Sequence, residues 1–287
     1  MPIAFVNRAV GFEDGPDTTT PLAAQTHTAG NLIVAGVKYE GTATTITLSD
    51  TAGNTYTPLT RQDLPGGAAA DMHVQLFYAN DILGHASNVI TATFSAARSF
   101  IRCCALQYSG CDQSNPFDQE AGGNGTGTSM STGNITTMQA DEVLVAMAGE
   151  FTALSGYTPG TNYTERWDGP VDNSLSGSAM EDRIVSSIDT YNATMTQSDS
   201  GDWVMALASF KAAAEAADTI DADLTHNIIS RRPRLVIPSG SFKSGDRHVS
   251  LLRKQPVGWY PAGTFHLLQN SPRSYCCNCY PDLRRGL

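Results

Sequence analysis

No stretch of the chain approaches the roughly 20 consecutive apolar residues that a membrane-crossing helix needs; runs such as "LIVAGV" at 32–37 stop after a handful. Charge is sparse as well, at 16% of 287 residues. Surface helices are usually rich in Lys and Glu, so this shortage argues against a helical protein, whereas the abundant Thr, Ser, Gly, Asn and Ala suit short strands and turns. Cysteine is scarce and local: Cys103, Cys104 and Cys111 form one group, Cys276, Cys277 and Cys279 another. Neighbours on a strand point to opposite faces, so Cys103 and Cys104 cannot bridge each other and read as core residues rather than as metal or redox groups.

Catalytic signatures are missing too. There is no GxSxG elbow, no HExxH and no Walker loop; "GSFKSG" at 240–245 lacks the leading spacing. The glycine-rich "GGNGTGTS" at 122–129 follows no strand-to-helix unit and is expected to be a flexible loop rather than a phosphate cradle. His27, His73 and His85 are spread out with no acidic partner at ligand spacing, which argues against zinc. Paired carboxylates such as Glu165 and Asp168, Glu181 and Asp182, or Asp199 and Asp202 would suit glycoside hydrolysis, but an acidic chain contains such pairs by composition alone. The chain is therefore expected not to be an enzyme. The start "MPIAFVNRAVGFEDG" breaks its short apolar run at Asn7 and Arg8, so no signal peptide is expected. The sequons at Asn124, Asn134, Asn162 and Asn192 then read as Thr-rich sequence.

The charge that is present divides unevenly. Residues 1–212 hold 8 Lys+Arg against 22 Asp+Glu, whereas from Leu224 onward 10 basic residues face 2 acidic ones. Phosphate contacts require a basic face, so nucleic acid is excluded as a partner of residues 1–212. The expected organisation is a β-sandwich domain at 1–212, a linker at 213–223 ("AAEAADTIDAD") and an irregular, flexible basic tail at 224–287. "CCNC" in the tail lacks a second ligand pair for zinc.

Strand patterns recur at short intervals, at 3–6, 32–39, 44–49, 72–79, 89–94, 100–108, 142–149, 179–185, 193–196 and 203–210, separated by Gly, Asn, Asp and Pro. Several of them echo one another in order. "GNLIVAGVKYEG" at 30–41 returns as "ADEVLVAMAGEF" at 140–151, "NTYTPL" at 54–59 as "NYTERW" at 162–167, "NVITATFS" at 88–95 as "YNATMTQS" at 191–198, and "FIRCCALQYSG" at 100–110 as "WVMALASFKAA" at 203–213. The echo predicts an internally duplicated five-strand unit, with halves at about 30–110 and 141–212, whose two apolar faces bury each other in one two-sheet antiparallel sandwich. Two small barrels in tandem is the weaker reading, because each half alone would be marginal. The same alignment sets Trp203 against Phe100 in the shared core and Trp167 near the position of Leu59.

The succession "AGNLIVAGV", "SDTAGNTYT", "LFYANDI", "ALQYSGCDQSNPFD", "MEDRIV" and "WVMALASFK" resembles a loosely defined group of bacterial and phage β-sandwich modules from surface, secreted and virion-associated proteins. The resemblance covers residues 1–212 and departs from the group at Cys103, Cys104 and Cys111 and throughout the tail. It implies a jelly-roll-like or Ig-like sandwich used for attachment or carbohydrate contact. The expected function is a non-catalytic structural or attachment module on a virion or extracellular surface, with a surface glycan or other surface subunits as partners; a glycan-active enzyme or its carbohydrate-binding accessory is the alternative.

Two candidate sites follow. The connection at 155–178 offers Tyr157, Tyr163 and Trp167 beside Asp168, flat rings next to hydrogen-bonding groups as a sugar platform requires. The competing expectation is that Tyr163 and Trp167 are core residues, since their repeat partners are Tyr56 and Leu59. No cofactor is expected apart from calcium, for which "SDTAGN" at 49–54 and "CDQSNPFD" at 111–118 supply oxygen ligands in Asp50, Asn54, Asp112, Asn115 and Asp118. Ordinary turns capped by Asp and Asn side chains are the favoured reading of those loops.

Overall fold

The computed structural model describes residues 1–64, 71–151, 156–169 and 176–214, together with the backbone of four short strands beyond residue 250. Met1–Glu215 forms one compact unit and Ala216–Leu287 another. The described part of the first unit is all β. Its first copy runs β1 (Ala4–Glu13), β2 (Asp17–Pro21), β3 (Gln25–His27), β4 (Leu32–Glu40), β5 (Ile46–Asp50), β6 (Thr57–Pro58), β7 (Gln62–Leu64), β8 (Met72–Ala79), β9 (His85–Asn88) and β10 (Ile90–Ser109). The second runs β11 (Phe117–Ser131), β12 (Ile135–Thr136), β13 (Glu142–Glu150), β14 (Tyr157–Pro159), β15 (Thr164–Gly169), β16 (Ser178–Val185), β17 (Thr190–Tyr191) and β18 (Thr194–Lys211).

The two main sheets repeat one topology. The first has the order β1-β10-β4-β8-β6, with β7 also on β8, and the second β11-β18-β13-β16-β15. The accessory pairings repeat as well: β5 lies on the first half of β10 as β14 lies on the first half of β18, and β3 pairs β9 as β12 pairs β17. The duplicated unit is therefore larger than the five strands legible in the sequence, and it begins at β1 and β11 rather than near residues 30 and 141. The second copy fuses β1 and β2 into β11, and merges β6 and β7 into β15.

The glycine-rich run expected to be a loop is part of β11, paired with β18 from Gly122↔Ala206 to Gly127↔Gly201. Gly125 has a packing reason. A Cβ on Gly125 would lie 2.8 Å from the Trp203 ring, so this strand approaches β18 more closely than any side chain permits.

Three apolar layers result. The central one lies between the two main sheets and takes Leu32, Val34, Val74, Leu76, Leu106 and Tyr108 from the first copy and Val143, Val145, Met147, Met180, Ala208 and Phe210 from the second. This is the shared core of a sandwich. Each sheet also buries its opposite face under its own accessory strands, around Ile33, Tyr39, Phe77 and Phe94 in the first copy and around Leu144, Ala146, Tyr163 and Met205 in the second. A strand buried on both faces reads as a continuous apolar run, which is why β4 and β13 carry the longest ones in the chain. Cys103 and Cys104 fall in different layers as alternation requires, and both are free thiols whose ionisation burial opposes.

One expected equivalence is corrected by a single residue. Tyr108 faces Leu32 and Phe210 faces Val143, so Trp203 corresponds to Ile101 and not to Phe100. Phe100 sits at an irregularity in β10 with φ of 49° and is only half-buried. A one-residue slip exchanges faces, so Trp203 belongs to the outer layer of the second copy rather than to the shared core.

In the second unit the stretch expected to be irregular contains two antiparallel hairpins, β19 (Leu252–Gln255) with β20 (Gly258–Pro261) and β21 (Leu268–Ser271) with β22 (Ser274–Cys276). Residues 215–223 of the expected linker, and the rest of the tail, lie outside the described residues.

Candidate functional site

The expected aromatic platform does not form at the surface. Tyr157, Tyr163 and Trp167 are only 8%, 8% and 6% exposed. Trp167 lies opposite Met180 and fills the central layer, the place Leu59 takes in the first copy by donating its backbone N–H to Leu76. Tyr163 lies in the outer layer of the second copy and donates its hydroxyl hydrogen to the Asn192 carbonyl at 3.0 Å. The reason is strand alternation: Trp167 and Asp168 are neighbours on β15 and must face opposite ways. Tyr157 and Asp168 do come together, since the Tyr157 backbone N–H donates to Asp168 Oδ2 at 3.2 Å.

The oxygen ligands expected for calcium serve local turns. Asp50 Oδ1 accepts from the backbone N–H of Gly53 at 2.8 Å and of Asn54 at 2.9 Å. Its Oδ2 accepts from Asn54 Nδ2, Tyr56 OH and Asn88 Nδ2 at 2.7, 2.9 and 2.8 Å. Burial would raise the Asp50 pKa, but these donors outweigh it and hold the carboxyl below its usual range. Asp112 caps Ser114 and Asn115, and Asp118 accepts from the Met138 N–H. Asn115 gives its N–H to Asp112 within its own loop, whereas Asn54 Oδ1 accepts from Leu83 N and ties its turn to the loop after β8. Among the described residues no three His, Cys, Asp or Glu side chains gather as a metal group. His27 and His73 are likewise structural: His27 Nδ1 meets Asn88 Nδ2 at 2.7 Å, and His73 stacks on Tyr39 with its ring nitrogens on Asp63 and the Gly41 carbonyl.

A buried charged group lies at one end of the central layer. Lys38 and Arg102 are fully buried, with Lys38 Nζ 2.6 Å from Glu40 Oε1 and hydrogen-bonded to Ser176 Oγ. Arg102 donates to the Ser176 carbonyl and reaches Asp14 Oδ1 at 2.7 Å. Ser176 donates to the Glu150 carbonyl at 3.0 Å, and Glu150 Oε1 accepts from the Gly177 N–H. Burial pushes the Lys38 pKa down to about 8, against the pull of Glu40. These contacts tie β4 and β10 of the first copy to the end of β13 in the second.

The chemistry of the second copy emerges when its outer layer is set against that of the first. Ala35 faces Phe77 where Ala146 faces Glu181, and Ile46 faces Phe94 where Tyr157 faces Gln197. Carrying the same registers through makes Glu150 the counterpart of Tyr39 and Trp203 that of Ile101. The first copy packs these positions with apolar groups: Tyr39 meets Phe94 edge-on at 5.5 Å, and its hydroxyl is satisfied by Thr44. In the second copy the same places carry Glu150, Glu181, Gln197, Tyr157 and Trp203.

Four buried polar atoms there have no hydrogen-bond partner: Tyr157 OH, Glu181 Oε1, Gln197 Oε1 and Trp203 Nε1. Each replaces an apolar atom of the first copy, and each costs about 1–3 kcal/mol if left unsatisfied. Gln107 and its counterpart Ser209 are unpartnered in both copies and so do not distinguish them. Glu181 keeps one anchor, accepting from the Gly160 N–H at 2.8 Å, and burial pushes its carboxyl up to about 8. It is therefore a proton-bearing donor near neutral pH. The Tyr157 hydroxyl and Glu150 Oε1 each lie 2.9 Å from where a Cβ on Gly177 would stand, so the two groups share the room that glycine leaves.

Tyr157 and Asp168 were named from the sequence as platform residues and Glu181 only as one of a carboxylate pair, Trp203 was read as core, and Glu150 and Gln197 were not singled out. A signal existed, because setting Leu32 against Val143 puts Tyr39 against Glu150, and the echo of 88–95 at 191–198 puts Phe94 against Gln197, an aromatic against a polar residue each time. Comparison with protein-family models, with curated proteins and with solved structures finds no match to this chain.

Proposed function

We propose that the chain is a non-catalytic attachment module of a virion or extracellular surface, whose ligand contact lies in the outer layer of its second copy. One observation carries this reading. Two copies keep the same framework, yet the second replaces apolar packing with unpartnered polar atoms at four matched positions, whereas the first does so at one, Thr20 in the place of Met130. Duplication frees one copy to hold the fold while the other acquires binding groups, and buried polar atoms without partners are costly enough to be lost where nothing uses them. The carboxyls that could act chemically are largely engaged in structure: Asp50 and Asp112 in turns, Asp182 in accepting from Tyr108 and Arg166. A surface glycan, or another subunit of the same surface, is the partner.

A glycan-active enzyme is the second reading, favoured by the Glu181 carboxyl, which burial keeps protonated up to about pH 8 as a general acid requires. Both readings are tested by presenting the full chain to a glycan array and to bacterial cell envelopes while assaying for released reducing ends. Retention without release is expected. Release of reducing ends overturns the non-catalytic reading, and failure to bind any glycan or envelope overturns attachment.

A further inference from the structure

We infer that the hairpin β19–β20 of the second unit is a contact for single-stranded nucleic acid, because its register sets a cationic residue opposite an aromatic one twice, Arg253 against Tyr260 and Lys254 against Trp259. The inference is independent of the attachment reading, whose ligand contact lies in the first unit.

The distribution of charge directs a polyanion to this part of the chain. Residues 1–212 hold 8 basic residues against 22 acidic ones and repel phosphate, whereas from Leu224 onward 10 basic residues face 2 acidic ones. Strand pairing then sets unlike residues together. Directly opposed residues of an antiparallel pair share a face, and neighbours along a strand alternate between faces. One face of the hairpin therefore carries Arg253 and Tyr260 with Gln255 and Gly258, and the other carries Lys254 and Trp259 with Leu252 and Pro261. The hairpin β21–β22 sets Tyr275 opposite Gln269, again an aromatic residue against a polar one.

The partner must match both members of each pair. A phosphate backbone meets the cations, and an unpaired base presents a flat face on which an aromatic ring stacks. In a duplex the base faces are covered by their neighbours, which leaves the rings without a role. An acidic polypeptide supplies charge but nothing flat for Tyr260 and Trp259. An anionic membrane takes up basic and aromatic residues together, but it selects a segment with one apolar face and one charged face. In β19–β20 each face carries a cation, so neither is the apolar one.

The test is a titration of the full chain with oligothymidylate and oligouridylate of about 16 nucleotides, read by the anisotropy of a labelled strand and by tryptophan fluorescence. Both are expected to bind at micromolar concentration or better in about 50 mM salt, and a duplex of the same length about tenfold more weakly. The chain has three tryptophans, of which Trp167 and Trp203 are buried in the first unit, so quenching on binding reports Trp259. Trp259→Leu is expected to abolish the quench and to weaken binding about tenfold, whereas Trp259→Phe abolishes the quench and stays within about threefold of the parent chain. Arg253→Gln combined with Lys254→Gln should reduce the slope of log K against log salt by about 1.4, two phosphate contacts at about 0.7 each. The inference is overturned if neither strand binds, if the duplex binds as tightly, if Trp259→Leu binds like the parent chain, or if the paired charge substitution leaves the salt slope unchanged. Binding to phosphatidylglycerol vesicles without binding to either oligonucleotide overturns it in favour of a membrane surface. Each of these results leaves attachment through the first unit standing; oligonucleotide binding without retention on any glycan or envelope does the reverse.

Discussion

Lys38 lies in the space that Gly149 leaves: its Cγ is 2.6 Å from where a Cβ on Gly149 would stand. The registers make these two residues counterparts, each the last inward-facing position of its strand, β4 in one copy and β13 in the other. One step back the sizes reverse, and Met147 Sδ occupies the room beside Gly36. Two identical faces could not pack so closely, because large would meet large. The alternation of large and small across the central layer is how the copies came to differ at "AGVK" and "AMAG", and it gives their pairing a single register.

Filling that space should be destabilising in a way that Lys38 can relieve. Gly149→Val is expected to cost about 1–3 kcal/mol through overpacking against the Lys38 stem. Lys38→Ala combined with it should recover part of that loss, so a double-mutant cycle by chemical denaturation should show a coupling of about 1 kcal/mol or more. Strict additivity would separate the two residues.

Trp167 is expected to behave as core. It is buried in the central layer against Met180, and Trp167→Ala should cost about 3–5 kcal/mol in stability. Thermal melts followed by circular dichroism check this, and an unchanged Tm would place the ring at the surface after all.

Acid stability should carry the mark of Glu181. The folded chain holds this proton up to about pH 8, whereas an ordinary glutamate releases it near 4.5. Between those values the folded state binds more protons than the unfolded one, so this group's contribution is fully present below about 4.5 and is lost as pH rises toward 8. Glu142, which burial pushes up to about 7, acts in the same direction. Lys38 acts only above about 8, where stability rises with pH because the unfolded chain retains the proton longer. Glu181→Gln keeps an acceptor for the Gly160 N–H and should flatten the decline between about pH 5 and 8, with a gain on the order of 1–3 kcal/mol at the upper end. Denaturation midpoints across that range read it directly.

Asp50 should matter to stability and not through calcium. Both of its oxygens already accept from protein donors, including the Tyr56 hydroxyl and the Asn88 amide. Asp50→Ala is expected to cost about 2–4 kcal/mol, because it leaves these buried donors unpaired. Added calcium or a chelator should leave the Tm of the parent chain unchanged, and a calcium-dependent rise would reverse the assignment.

Cutting the chain after Glu215 should leave a cooperatively melting product. The last backbone contacts of the first unit are made by Lys211, Ala212 and Ala213, which pair with Pro116, Asp141 and Gly110. A broad or absent transition in the shortened chain would make residues beyond 215 part of its core.

The residues alone determined the class of fold and its duplication. Alternation at "MHVQLFYA" marked β8 as a strand, the paired apolar runs marked β4 and β13, and the ordered echoes marked two copies, because these patterns arise from the side-chain period of a strand and need no knowledge of partners. The adjacency of Cys103 and Cys104 placed them on opposite faces for the same reason. What the residues could not determine was which of three buried layers each face enters. Aromatic residues at 157, 163 and 167 look alike in a loop-like sequence, yet Trp167 enters the central layer and the two tyrosines the outer one. β11 was hidden because its glycines follow no apolar alternation; Gly125 is required by the close approach of Trp203 and Gly123 by the Ser131 backbone, contacts that only the pairing reveals. The site depended most on tertiary structure. Setting Glu181 against Phe77 requires an offset that no sequence echo supplies, and the irregularity near Phe100 shifts the alignment of everything beyond it by one residue. Because a shift of one exchanges the faces of a strand, only the pairing of the chains in space decided which polar groups were turned inward.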